Sequence, residues 1–468
     1  MSGSKNSRII SVVVCALLFA YLLAFVFEGK VFYSLLAYFG AEGSTYIIIS
    51  ITAHFAGLVS GGFFVRSPQM AKNILRTGML ICLAATAPFF FSPSILWPIC
   101  LVITGFAGGC AFASWGYFLK TCTPKNKRIK SCADVLVISN SIMICIDVAA
   151  VHLSAVIGLV LSMLCLAAGS IIAHWLPIEE TPAAPCDTGN KRPADLRKPL
   201  MFLFVFVAVI TINSGLMYQV INPAFAHLST LVSWYWAVPY IIALLVMRNL
   251  PEKASRSRIL YVGMAMIVAA FVCFMLMGRS AADYLVIDTL MLGACGIFDL
   301  FWWSIIGEML DYTDDPVKVS GIGLSANVFG VLCGDLLGLK MSADSLPEAE
   351  ITVIALCVVC ATLVLLPPLN SQLIALLKNH AYLAACPDMN QKQPGAVLSY
   401  PKSLDTLTDR EREVMDRILS GQSNKEIAAE LSITENTVKT HVRNIYSKYN
   451  VNSRMELIGT LLKKPTDV

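Results

Sequence analysis

Twelve apolar runs, each about as long as a bilayer is thick, dominate this chain. They fall at residues 9–27, 45–65, 74–91, 95–119, 135–153 and 155–175. After a hydrophilic break they resume at 200–221, 228–247, 259–277, 284–306, 319–339 and 351–366. In hydrocarbon every backbone N–H and C=O must be satisfied internally, which leaves helices as the spanning form for such runs. The sequence therefore predicts an all-α, polytopic bundle of twelve helices. Only 14% of the residues are charged, against about 25% in soluble domains. The cysteines within the runs (Cys15, Cys82, Cys100, Cys145, Cys165, Cys273, Cys357 and Cys360) lack metal-ligand spacing and read as small buried hydrophobes.

Charge in the loops orients the bundle. With the N-terminus placed inside, the cytoplasmic segments hold nineteen Lys and Arg, and the opposite side holds only Lys30, Arg279 and Lys340. This bias puts both termini on the cytoplasmic side of the inner membrane. One inner loop, with Glu308, Asp311, Asp314 and Asp315, is acidic. A signal peptide at the N-terminus is disfavoured, because no small-residue cleavage site follows the first run and further spans come at once. The domains read as 1–176 for the first six spans, 177–199 for a cytoplasmic linker and 200–370 for the second six. A tether over 371–403, with Pro394, Gly395 and Pro401, leads to a soluble segment at 404–468.

That soluble segment has the local grammar of four short helices. Thr408 with Glu411, Ser423 with Glu426, and Ser453 with Glu456 each form a hydroxyl cap with a carboxylate three residues on. Thr434 starts the remaining helix without the reciprocal acid. In that helix Val438, Val442, Ile445 and Tyr449 share one face, while Asn436, Lys439, Thr440, Arg443 and Ser447 share the other. Ile427, Ala428 and Leu431 put an apolar stripe beneath it, and the short connection through Ser432 and Ile433 suits a helix-turn-helix. Lys439, Arg443, Lys448 and Arg454 cluster, whereas acids gather in the first helix.

The segments Thr408–Val414, Ser423–Ala428 and Thr437–Val442, with Asn444, Ile445, Lys448 and Arg454, resemble the DNA-binding domain of the LuxR family of bacterial transcription regulators. The resemblance covers the last eighth or so of the chain and departs at Lys448-Tyr449-Asn450, where the family usually has Lys-Leu-Gly. It implies double-stranded DNA as a partner, with Lys439, Thr440 and Arg443 toward the groove and Lys425 on a phosphate; Asn436 and Lys448 complete the expected DNA face. It also implies a homodimer on DNA through Leu457, Ile458 and Leu461. The paired six-span layout resembles the major facilitator fold, whose binding sites lie near the midplane between the halves. Gly61-Gly62-Phe63-Phe64-Val65-Arg66-Ser67-Pro68 stands where that family's basic signature loop belongs, which counts against transport.

Polar groups inside spans are costly and mark functional positions. His54, Asp147, Gln219, Asp288 and Asp335 stand out as ligand residues for an unknown small molecule, with Asn213, Asn222 and Asn327 nearby in depth. Trp97, Trp115, Trp175, Trp234, Trp236 and Trp303 read as interfacial anchors. No catalytic constellation and no cofactor or metal motif is present, so an enzyme is not expected. The sequence thus points to a membrane-anchored regulator whose bundle senses a small molecule; the alternative is a secondary transporter with a regulatory DNA-binding tail.

Overall fold

The computed structural model describes residues 2–27, 29–41, 44–178, 196–250, 256–343, 348–376, 408–420, 422–449 and 457. The chain divides into two units, Met1–Cys386 and Pro387–Val468. Both are helical.

The first half of the bundle comprises α1 (Ser2–Tyr21), α2 (Lys30–Phe39), α3 (Ser44–Phe64), α4 (Pro68–Thr86), α5 (Leu96–Cys122), α6 (Arg128–His152) and α7 (Ala155–Ile172). The second comprises α8 (Arg197–Leu216), the short α9 (Asn222–Ala224), α10 (Ser229–Tyr235), α11 (Val238–Arg248), α12 (Arg256–Leu276), α13 (Ala281–Met309), α14 (Pro316–Ala343) and α15 (Glu348–Leu376). Among the described residues, eleven helical segments are long and apolar enough to cross a membrane. The run expected to be the twelfth span lies in α15, where the apolar stretch is the shorter Val353–Leu369.

Three differences from the sequence reading have physical causes. First, residues 30–39, expected as loop, form α2. Val31, Phe32, Leu35 and Leu36 bury one face, and Gly40 closes the helix at φ 66°, its amide donating to Leu36 and Ala37 carbonyls. Second, α15 does not stop at the Pro367-Pro368 pair expected to end the span but runs through both to Leu376. Prolines are tolerated within membrane helices, where neighbouring groups and local adjustments re-satisfy the freed carbonyls. Third, Trp97 and Trp115 are fully buried rather than interfacial, whereas Trp175 and Trp234 are exposed, as anchors should be.

Small residues let the helices approach closely. A Cβ on Gly57 would stand 2.2 Å from the Phe106 carbonyl oxygen, which fixes the α3–α5 crossing. A Cβ on Gly334 would stand 2.2 Å from the Ile212 carbonyl oxygen, fixing α8 against α14 in the second half. The halves meet along α3–α14 and α6–α11. The first span of each half ends in a π-helical turn, Leu22–Val26 after α1 and Met217–Ile221 after α8. This repeat was invisible in the sequence, and such turns concentrate at functional positions.

The acidic loop finds its explanation on the face carrying the basic loops. Asp311 accepts Arg128 at 2.7 Å and faces Lys125 at 3.7 Å, while Lys120 Nζ donates to the Thr313 carbonyl at 2.7 Å. Asp134 in turn pairs with Arg8 of α1 and with Arg248 of α11. Asp311 of the acidic loop thus pairs with cations of the first half, and Asp134 joins Arg8 of its own half to Arg248 of the other.

Candidate DNA interface and membrane cavity

The C-terminal unit contains α16 (Asp409–Leu419), α17 (Asn424–Glu430) and α18 (Glu435–Tyr449). Two of the three expected capping boxes are formed in full, Thr408 with Glu411 and Ser423 with Glu426. The third, Ser453 with Glu456, lies outside the described residues, as does Gly421. Thr434 caps α18 by accepting from the Thr437 amide at 3.2 Å. The core is Val414, Met415, Ile418, Ile427, Ala428, Val438, Val442, Ile445 and Leu457; of these, helical spacing assigned Ile427, Ala428, Val438, Val442 and Ile445 inward.

Between α17 and α18 the chain turns at Ser432, whose φ is 53°, a left-handed value that favours glycine. Ser432→Gly is therefore expected to raise the module's unfolding free energy by about 0.5–1 kcal/mol, read from its denaturant midpoint. A lower midpoint would show that the serine hydroxyl contributes more than the strain costs.

Burying the core leaves the opposite face of α18 to solvent: Asn436, Lys439, Thr440 and Arg443 are all exposed, as is Lys425 in the first turn of α17. Lys439 holds a surface pair with Glu435 at 2.9 Å, and Thr440 donates to the Asn436 carbonyl at 3.0 Å. Lys448, the other cation expected on the DNA face, holds an ion pair inside the module. Its ammonium lies 2.6 Å from the buried Glu411 carboxylate and ties the end of α18 back to the start of α16. Leu457, expected at a dimer contact, is buried in its own module's core, and Ile458 and Leu461 lie outside the described residues.

Lys448, together with the Thr408 amide and hydroxyl, holds the Glu411 carboxyl down to about 2, from an ordinary value near 4.5. A carboxyl depressed in the folded state contributes stability above its unfolded value and loses it as pH falls from about 4.5 toward 2. The module is thus expected to lose roughly 2 kcal/mol over that window, after allowance for screening of the partly exposed Lys448. Denaturant midpoints at pH 6 and pH 3 measure it, and Glu411→Gln should flatten the difference.

In the bundle a cavity of about 170 Å³ lies between the halves. Phe19, Phe112, Trp302 and Trp303 contribute rings to its wall, and His54, Asn327 and Asp299 contribute polar groups. Of the five expected ligand residues, the structure brings His54 there; its Nδ1 is 3.2 Å from the Gly105 carbonyl and its ring meets Phe27 edge-on. The other four do not line it. Asp147 and Asp288 are buried at the far end of the inter-half seam, where both feel Lys30. Asp335 is buried beside Gln219.

Asp299, passed over in the sequence, is the carboxylate that does reach the cavity. Tyr240 Oη donates to its Oδ2 at 2.8 Å and Trp302 Nε1 to its Oδ1 at 3.0 Å. The signal was available: an acid three residues before a tryptophan in a helix puts an indole N–H over the carboxylate. Trp303 and Trp236, expected as interfacial anchors, also line the cavity. The ring centroids of Trp115 on α5 and Trp303 on α13 stand 5.9 Å apart.

The chain thus joins a bundle of membrane-length apolar helices, with a cavity between its halves, to a helix-turn-helix module. Comparison with known proteins bears this out part by part. Residues 405–461 match the family of bacterial regulatory proteins of the luxR type (GerE), so this segment is a LuxR-type DNA-binding domain. It is 58% identical over 52 residues to a nitrate/nitrite response regulator protein homolog of Haemophilus influenzae, a match covering 11% of this chain and 25% of that protein. The transcriptional regulatory protein LnrK of Bacillus subtilis is 37% identical over 116 residues, covering 25% of this chain and 46% of that one. The chain thus spans less than half the length of the curated relatives it matches.

The bundle has the fold of major facilitator transporters. It superposes on the human organic anion transporter MFSD10 with a TM-score of 0.58 at 12% identity, covering 77% of this chain and 98% of that one. A bacterial homologue of the iron transporter ferroportin, in an outward-facing state, gives 0.57 at 14% identity, covering 79% and 99%.

Proposed function

We propose that this chain is a one-component transcription regulator anchored in the cytoplasmic membrane. A small molecule occupying the inter-half cavity shifts the bundle between two states, and the tethered module presents itself to operator DNA, as a pair, in only one of them. The observation that carries this reading is that a DNA-reading module shares one chain with a transporter-type bundle containing a cavity between its halves. A ligand acts here only through different affinity for the two bundle states. The charge bias of the loops supports both termini in the cytoplasm, and in this reading the pair contact falls to Ile458 and Leu461, with Leu457 used inside each copy.

The test is a promoter reporter in cells carrying either the full chain or residues 387–468 alone. Removing the bundle should abolish the response to inducing metabolites while leaving operator binding. A metabolite response that survives the deletion sinks the sensor reading. The second reading, a secondary transporter with a regulatory tail, is favoured by the fold, and uptake by proteoliposomes containing the full chain decides it.

A further inference from the structure

Resting on the sensor reading, we infer that the cavity takes a small organic cation bearing an aromatic or bulky alkyl group, with Asp299 as counter-charge and the surrounding rings as its wall. Among the described residues lining the cavity, Asp299 is the one acid, and none is a lysine or arginine. A carboxylate offers about four acceptor positions; Tyr240 and Trp302 take one on each oxygen. Lone pairs therefore remain on both. Their donors fix the carboxylate's orientation, so it does not need to be reordered when a ligand arrives.

The rings supply the rest. Phe19 and Phe112 are stacked with centroids 4.8 Å apart, and Trp303 lies 5.9 Å and 5.8 Å from them. Trp302 follows at 5.7 Å from Trp303. Ring faces attract a cation, tryptophan most strongly, and a site removed from water strengthens both that attraction and the pull of the carboxylate. An anion would meet the same rings and the same carboxylate with no cationic side chain to receive it. Neutral His54 does not reverse this: its Nδ1 proton goes to the Gly105 carbonyl, which leaves Nε2 as an acceptor that offers an anion no donor. The cavity's volume suits a ligand the size of a substituted benzene.

Phenyltrimethylammonium and tert-butylbenzene have the same shape and differ in charge, which makes them the probes; benzenesulfonate is the anionic control. Binding to the full chain in lipid nanodiscs is read by quenching of tryptophan fluorescence. The cation should bind at least tenfold more tightly than the neutral isostere, and benzenesulfonate should not bind. Asp299→Asn should remove the tenfold preference while leaving tert-butylbenzene binding intact, which also reports that the variant is folded. Equal binding of the two isosteres, preference for the sulfonate, or an undiminished preference in Asp299→Asn would overturn the assignment. Cation binding with the full preference but no change in reporter output leaves this site standing and overturns the sensor reading instead.

Discussion

Replacing Lys439 and Arg443 together with alanine should reduce operator affinity by about 30-fold or more. Each cation lost from a base edge or phosphate costs on the order of 1–3 kcal/mol, and every 1.4 kcal/mol is tenfold in affinity. Both side chains are exposed on the face of α18 opposite its buried Val438, Val442 and Ile445, so neither truncation opens the core. Lys439 gives up only a surface pair with Glu435, worth a few tenths of a kcal/mol. A gel shift with the full chain in detergent measures the affinity, and circular dichroism confirms that the module remains folded. The salt dependence of binding should become shallower by about one unit of slope per lost phosphate contact. Lys448→Ala should behave differently: because it releases the buried Glu411, it should lower the module's stability more than its selectivity. Unchanged affinity in the double variant would remove α18 from the groove.

The same contrast shows how much of the site was legible in the sequence. The DNA module was readable because its signals are local. Caps lie three residues from their partners, and apolar positions at helical spacing say which face turns inward. Ser432 was not readable, since nothing in Leu431-Ser432-Ile433 distinguishes a left-handed serine from any other. The Lys448 pair was not readable either, because spacing places Lys448 near the basic cluster but cannot show Glu411, thirty-seven residues earlier, folded against it.

The bundle divides the other way. Run length gave the order of the helices; among the described residues eleven rather than twelve are long and apolar enough to cross a membrane, and α2 and the extent of α15 were not foreseen. Depth along a span follows from residue count, but rotation about the axis does not, because helices apolar all round carry no stripe to mark the inward side. Asp288 and Asp299 lie on the same helix, α13, eleven residues apart; one feels Lys30 at the end of the seam, and the other receives Tyr240 and Trp302 in the cavity. Selecting acids by depth therefore found a real inter-half cluster but missed the carboxylate that lines the cavity.

Arg128→Ala should lower bundle stability by about 3 kcal/mol or more, because it strips a buried partner from both halves at once. The guanidinium is almost wholly buried at the start of α6. Its Nη1 donates to the Gly307 carbonyl near the end of α13 at 3.0 Å, and its Nη2 reaches the Lys120 carbonyl at 3.3 Å and Asp311 at 2.7 Å. Alanine leaves two carbonyls without this donor and Asp311 with Lys125 alone at 3.7 Å, a longer and more exposed pair. Arg128→Lys keeps the charge but not the planar fork, so it should recover part of the loss and no more. Thermal unfolding of the full chain in detergent, followed by circular dichroism, should show a midpoint several degrees lower for alanine and an intermediate one for lysine. Because this contact fastens α6 to α13 on the face of the basic loops, weakening it should also shift the balance between bundle states. Reporter output without any inducer should then move away from the wild-type level in the alanine variant. A wild-type midpoint would mean that the Asp134 pairs with Arg8 and Arg248 hold that face by themselves, and the double variant Arg128→Ala, Asp134→Asn would then be the one to melt early.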